Sequence, residues 1–198
     1  MMPVYKHIYN YLQFINISTD EYSLFEWKPK NSYKSFILDL NVVKKKTARD
    51  IFFHINKGTM KIVYIRKKSL IYAVGADEKV QYQLLEALLE YIDERFNEMY
   101  GVEEILSYGN FSPHVFKQFK EVIERSLEHF KELKLVRKVD VECRVCDKIL
   151  PLFVKKSGID NAESYPVPIV YIHEGHAILC FIDKNYDVRG VELVNITG

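Results

Sequence analysis

The chain has 198 residues, 48% of them apolar and 28% charged, an ordinary globular composition that argues against a disordered or collagen-like polypeptide. No apolar run approaches the roughly 20 residues needed to span a bilayer, and Met1-Met2-Pro3-Val4-Tyr5-Lys6-His7 lacks the apolar stretch of a signal peptide. The expectation is therefore a cytoplasmic protein without a transmembrane segment. The net charge of +1 hides an asymmetry, because residues 1–76 hold thirteen Lys/Arg against five Asp/Glu while residues 77–198 hold fifteen against twenty-two.

In chain order, Val4, Ile8, Leu12 and Ile15 are spaced four, four and three, which predicts a helix over residues 3–17 with Pro3 in its first turn. A short extended piece over 22–27 follows. Residues 35–43, 50–56, 60–66 and 69–74 are rich in Ile, Val, Phe and Tyr, with Lys57-Gly58 and Lys67-Lys68 as turns, and predict an antiparallel meander. Over 77–99, Val80, Leu84, Leu88, Ile92 and Phe96 recur every four residues, and Glu86, Glu90, Asp93, Glu94 and Glu98 are expected on the opposite face. After a short apolar run at 105–108, Ser112-Pro113 supplies a cap and a first-turn proline for a second helix carrying Val115, Phe119, Val122, Ile123, Leu127 and Phe130.

The texture changes near Leu135. Residues 138–142 predict a strand, 143–156 are ambiguous, and 157–166 are polar and turn-rich. Residues 168–173, 176–183 and 187–194 predict a three-stranded meander. The expected fold class is α+β: an antiparallel sheet packed against two long helices over residues 1–135, and a small Cys/His β subdomain over 136–198.

Within residues 60–132, the run Lys61-Ile62-Val63-Tyr64-Ile65-Arg66, then Ser69-Leu70-Ile71-Tyr72-Ala73-Val74, then Leu84-Leu85-Glu86 and Tyr91-Ile92-Asp93-Glu94-Arg95-Phe96 resembles the longin-type, profilin-like domain of adaptor small subunits. The match covers about a third of the chain, two adjacent strands followed by a long helix ending near an Asp-x-x-Phe-like element. The resemblance implies a non-enzymatic platform that binds small GTPases, trafficking factors or another copy of itself. The expected N-terminal helix departs from that family, which begins with a strand.

The residues with the most chemistry are Cys143-x-x-Cys146 and His173-x-x-His176. Zinc takes four soft or borderline donors in a tetrahedron, and a Cys-x-x-Cys knuckle offers two thiolates to one side of it. If Glu174-Gly175 is a two-residue hairpin turn, His173 and His176 become a cross-strand pair, and the same register sets Tyr171 opposite Ile178 and Ile169 opposite Cys180. Cys180 is then a substitute ligand. Two readings stay open: a structural zinc site made by Cys143, Cys146, His173 and His176, and a pair of buried thiols beside a polar hairpin tip.

There is no phosphate-binding glycine loop, no dinucleotide fingerprint and no nucleophile elbow, and His173-Glu174-Gly175-His176 lacks the i, i+4 spacing of zinc peptidases. The leading expectation is a non-enzymatic interaction or scaffold protein whose partner is another protein or a second copy, as a homodimer. Two alternatives stand beside it. One is a nucleic-acid-binding protein in which Tyr33, Phe36, Phe52 and Phe53 interleave with Lys34, Lys44 and Arg49. The other is a thiol redox protein, which requires an exposed Cys143 or Cys146 with a depressed pKa.

Overall fold

A computed structural model describes residues 7–29, 50–102, 105 and 113–194, and its first buried stretch is a strand where the apolar spacing predicts a helix. A single 3-10 turn at Ile8–Tyr11 leads into β1, Leu12–Ser18. The reason lies in residues the stripe left out: Phe14 and Ile17 are as fully buried as Leu12 and Ile15, so apolar side chains are needed on both faces. A helix with one apolar stripe cannot supply that, whereas an interior strand with β-branched Ile15 and Ile17 does.

β2 (Ser23–Trp27) pairs with β1 across a turn in which the Thr19 hydroxyl accepts the amides of Glu21 and Tyr22, each at 3.1 Å. β3 (Phe52–Lys57), β4 (Met60–Lys67) and β5 (Leu70–Asp77) form the expected meander. All neighbours are antiparallel in the order β2-β1-β5-β4-β3, which puts β1 and β5 inside the sheet. The predicted strand over 35–43 and the cap Ser112 lie outside the described residues, as does all of the run at 105–108 except Ile105.

The first long helix, α1, spans Tyr82–Met99 and buries Leu84, Leu85, Leu88, Leu89, Ile92 and Phe96 against β4 and β5. It starts later than its periodicity implies, because Asp77 ends β5 and accepts the Lys79 amide at 2.9 Å in the intervening turn. Glu86, expected on the solvated face, is only 7% exposed and meets the His54 Nε2 at 2.9 Å. A 3-10 turn at Pro113–Phe116 leads into α2, Lys117–Glu128, which buries Phe119, Ile123 and Leu127. The indole of Trp27 is fully buried and donates to Glu124 Oε1 at 3.2 Å, linking β2 to α2. No described helix is long and apolar enough to cross a membrane.

The chain divides into two compact units, one ending at Leu133 and the other beginning at Lys134. In the second, the ambiguous stretch resolves as a hairpin of β6 (Val136–Cys143) and β7 (Lys148–Lys155), in register from Val136 opposite Lys155 to Cys143 opposite Lys148. A one-turn helix, α3 (Lys156–Asp160), precedes β8 (Val167–His173), β9 (His176–Ile182) and β10 (Val188–Val194), a sheet in the order β10-β9-β8. Val139, Val141, Leu150, Leu152 and Val154 pack in one core with Ile169, Tyr171, Ile178, Cys180 and Ile182.

The β9–β10 turn is tied together by Asp183. One carboxylate oxygen accepts the amides of Asn185 and Asp187 at 2.8 and 2.9 Å, and the other accepts Arg189 Nε at 2.6 Å. Desolvation works against ionisation, yet those amides and the guanidinium outweigh it and hold the carboxyl below its ordinary pKa. A depressed pKa makes this turn's contribution complete above the ordinary carboxylate range and lost as pH falls through the lowered value. Urea midpoints measured against pH should therefore decline on the acid side, and Asp183→Asn should flatten that decline while lowering the midpoint at neutral pH.

Candidate functional site

The β6–β7 turn carries both cysteines of the Cys-x-x-Cys motif. Cys143 is the last residue of β6 and fully buried, and Cys146 is partly exposed. The Asp147 amide donates to the Cys143 carbonyl at 2.8 Å, and Asp147 turns the chain back with φ of 54°, in the left-handed region that few non-glycine residues enter. The chain is thereby wrapped around the sulfurs: the Lys148 amide donates to the Cys146 thiol, and the Cys143 and Cys146 thiols are hydrogen-bonded neighbours. Desolvation, with the adjoining Cys143 thiol adding to it, pushes the Cys146 thiol up against the pull of the Lys148 amide.

The β8–β9 turn brings the histidine. Glu174 and Gly175 have φ of 46° and 82°, the two positive angles of a type I′ turn, whose twist matches that of the strands it joins. His173 therefore stands opposite His176, Tyr171 opposite Ile178 and Ile169 opposite Cys180, the register expected from the sequence. The His173 ring is 8% exposed, and its Nε2 lies 3.5 Å from Cys146 Sγ and 3.4 Å from Glu174 Oε2. Both Glu174 oxygens accept Lys148 Nζ at 2.9 Å, which joins the two turns. The ligand atoms of Cys146, His173 and Glu174 all lie within 4.8 Å of one another.

Of the four expected ligands, Cys146 and His173 come together at these two turns, with Cys143 beside Cys146 but outside the group whose ligand atoms lie within 4.8 Å of one another. The fourth, His176, is in register with His173, and its side chain lies outside what the structure describes. Glu174 is a donor that the spacing of cysteines and histidines does not mark, since its sequence signal is that of a turn residue beside His173. Cys180 is fully buried on β9 among apolar side chains, its thiol pushed up to about 11 by burial, which makes it a core residue rather than a substitute ligand. The redox alternative requires an exposed cysteine with a depressed pKa. The pair lies on a hairpin turn, with Cys143 buried and the Cys146 thiol shifted away from the thiolate.

The basic, aromatic segment proposed for nucleic acid is mostly outside the described residues, including Tyr33, Lys34, Phe36, Lys44 and Arg49. Phe52 and Phe53 are described and half-buried, and Phe53 stacks on the buried Tyr64 at 5.2 Å. In the second basic run, Arg66 pairs with Asp20, and Lys67 with Asp93 at 3.2 Å. A cavity of ≈ 460 Å³ lies beside this pair, and its carboxylate Asp93 is also engaged by the Tyr72 hydroxyl and by Asn97 Nδ2 at 2.7 Å. The chain matches no described protein family and no curated protein sequence.

Proposed function

We propose that this chain is a non-enzymatic protein-interaction platform, longin-like in its first unit, whose partner is a second copy of itself. Two features support the longin-like part. The order β4, β5, α1, α2 over residues 60–132 is the order on which the resemblance rests, and a strand rather than a helix opens the sheet, as in that family. The expected departure from the family thus falls away.

The observation that carries the interaction reading is the outer row of β8. Pro168, Val170 and Ile172 point away from the core, and Val170 and Ile172 are 59% and 57% exposed. Across the ladder they stand opposite Phe181, Leu179 and Ala177, so the row continues as an apolar face onto β9. β8 is an edge strand of its sheet. An apolar edge strand is a template for pairing with another chain, and antiparallel pairing of β8 with its own copy is self-complementary about a two-fold axis.

Light scattering over a range of concentrations tests this. The expected result is a dimer that Ile172→Lys converts to a monomer, because a lysine on an edge strand interrupts the apolar row that pairing would join. A monomer at every concentration, or a dimer that Ile172→Lys leaves intact, would overturn it.

A further inference from the structure

The paired turns of the second unit have the dimensions of a metal site. With Zn–S of about 2.3 Å and Zn–N of about 2.0–2.1 Å, the sulfur–nitrogen edge of a tetrahedron around zinc is about 3.5 Å. With Zn–O of about 2.1 Å, its nitrogen–oxygen edge is about 3.4 Å. The distances from His173 Nε2 are 3.5 Å to Cys146 Sγ and 3.4 Å to Glu174 Oε2, so both edges that meet at the imidazole have tetrahedral length, and the sulfur–oxygen edge is within 4.8 Å. The Glu174 carboxylate, held by Lys148, converges on the same nitrogen as the thiol. Cys143, beside Cys146 across the turn, lies outside this close-set group of three, and its thiol must swing toward it to supply the remaining corner.

We propose that Cys143, Cys146, His173 and Glu174 bind one zinc ion that staples the β6–β7 turn to the β8–β9 turn. Binding replaces the two thiol protons, which leave to solvent, and takes His173 as neutral imidazole through Nε2. Two thiolates and a carboxylate around a divalent ion leave a net charge of −1. Lys148 is placed to offset it: its ammonium is 2.9 Å from both Glu174 oxygens, and its amide is already directed at the Cys146 sulfur. Lys148 is thus a positioning residue that orients the carboxylate and balances the site's charge. With four protein donors the site is closed, which suits holding two hairpins together rather than activating water. This site includes Glu174 where sequence spacing had His176, and it stands independently of self-association through β8.

The test is elemental analysis of the full chain purified with zinc present, followed by dialysis against a chelator of moderate strength. The native protein should retain one zinc per chain, and cobalt(II) in its place should give the intense visible bands of tetrahedral thiolate coordination. Cys146→Ser and Glu174→Gln should lose most of the metal, Lys148→Met should weaken zinc about tenfold, and His176→Asn and the core control Cys180→Ala should retain it. No zinc and no tetrahedral cobalt spectrum in the native chain would overturn the proposal, as would metal retained by Cys146→Ser. Zinc lost from His176→Asn but kept by Glu174→Gln would overturn the assignment of Glu174. Because the cobalt spectrum is read on the native chain, failure of a variant to fold leaves the proposal testable.

Discussion

Gly75→Ala is expected to destabilise the first unit by about 3 kcal/mol, the upper end of what overpacking a filled core costs. Gly75 lies in β5 opposite Phe14 of β1, and a Cβ built on it falls within the Phe14 ring. The ring cannot simply swing away, since Phe14 is 2% exposed and packed with Ile62, Tyr64, Ile71 and Ala73. Phe14→Ala alone should cost about 3–5 kcal/mol by leaving a cavity. The double variant should cost well under the sum, because the added methyl then occupies space the ring vacated. Urea unfolding of the four proteins in the cycle measures this. Additive costs would mean that Phe14 and Gly75 do not compete for one volume.

Phe96→Ala should be the other severe change, at about 3–5 kcal/mol. Phe96 on α1 is fully buried, and its ring meets Tyr72 of β5 edge-on at 6.2 Å, Phe119 of α2 at 5.2 Å and Phe116 at 5.8 Å. Phe119 in turn reaches Phe25 of β2 at 5.0 Å. The truncation therefore removes one ring shared by sheet and both helices, and aromatic pairs contribute beyond the area they bury. Phe96→Leu keeps most of the volume without the ring geometry and should recover more than half of the loss. A thermal or urea midpoint for Phe96→Ala within error of the native value would contradict the packing described.

The contrast between β5 and β1 shows what was readable in the sequence. β4, β5 and α1 follow from local pattern, because Ile62, Val63 and Tyr64, or Leu84, Leu88 and Ile92, have neighbours that agree about which period applies. β1 misleads because Val4, Ile8, Leu12 and Ile15 fit a helical stripe by spacing, and only its partners, β2 and β5, require both faces to be apolar. Long-range pairing likewise explains Glu86, whose partner His54 lies on a different strand. At the candidate site, the register of His173 and His176 was legible because a two-residue turn fixes it. The direction of the Glu174 side chain was not, since it depends on a positive φ and on Lys148 from another hairpin.

The two units also differ in how far apart along the chain their strand partners lie, and that difference sets an order of events during folding. Every described ladder after Leu133 joins consecutive strands, β6 with β7, β8 with β9 and β9 with β10. The central ladder of the first sheet instead joins β1 to β5, with Ser18 opposite Ile71 and Leu12 opposite Ala76. Closing so long a loop costs entropy before any packing repays it, so this pairing should be the slow step. During synthesis β1 must wait, its Ile15 and Ile17 uncovered on one side, until β5 has left the ribosome. The hairpins of the C-terminal unit find their neighbours almost as soon as they are made.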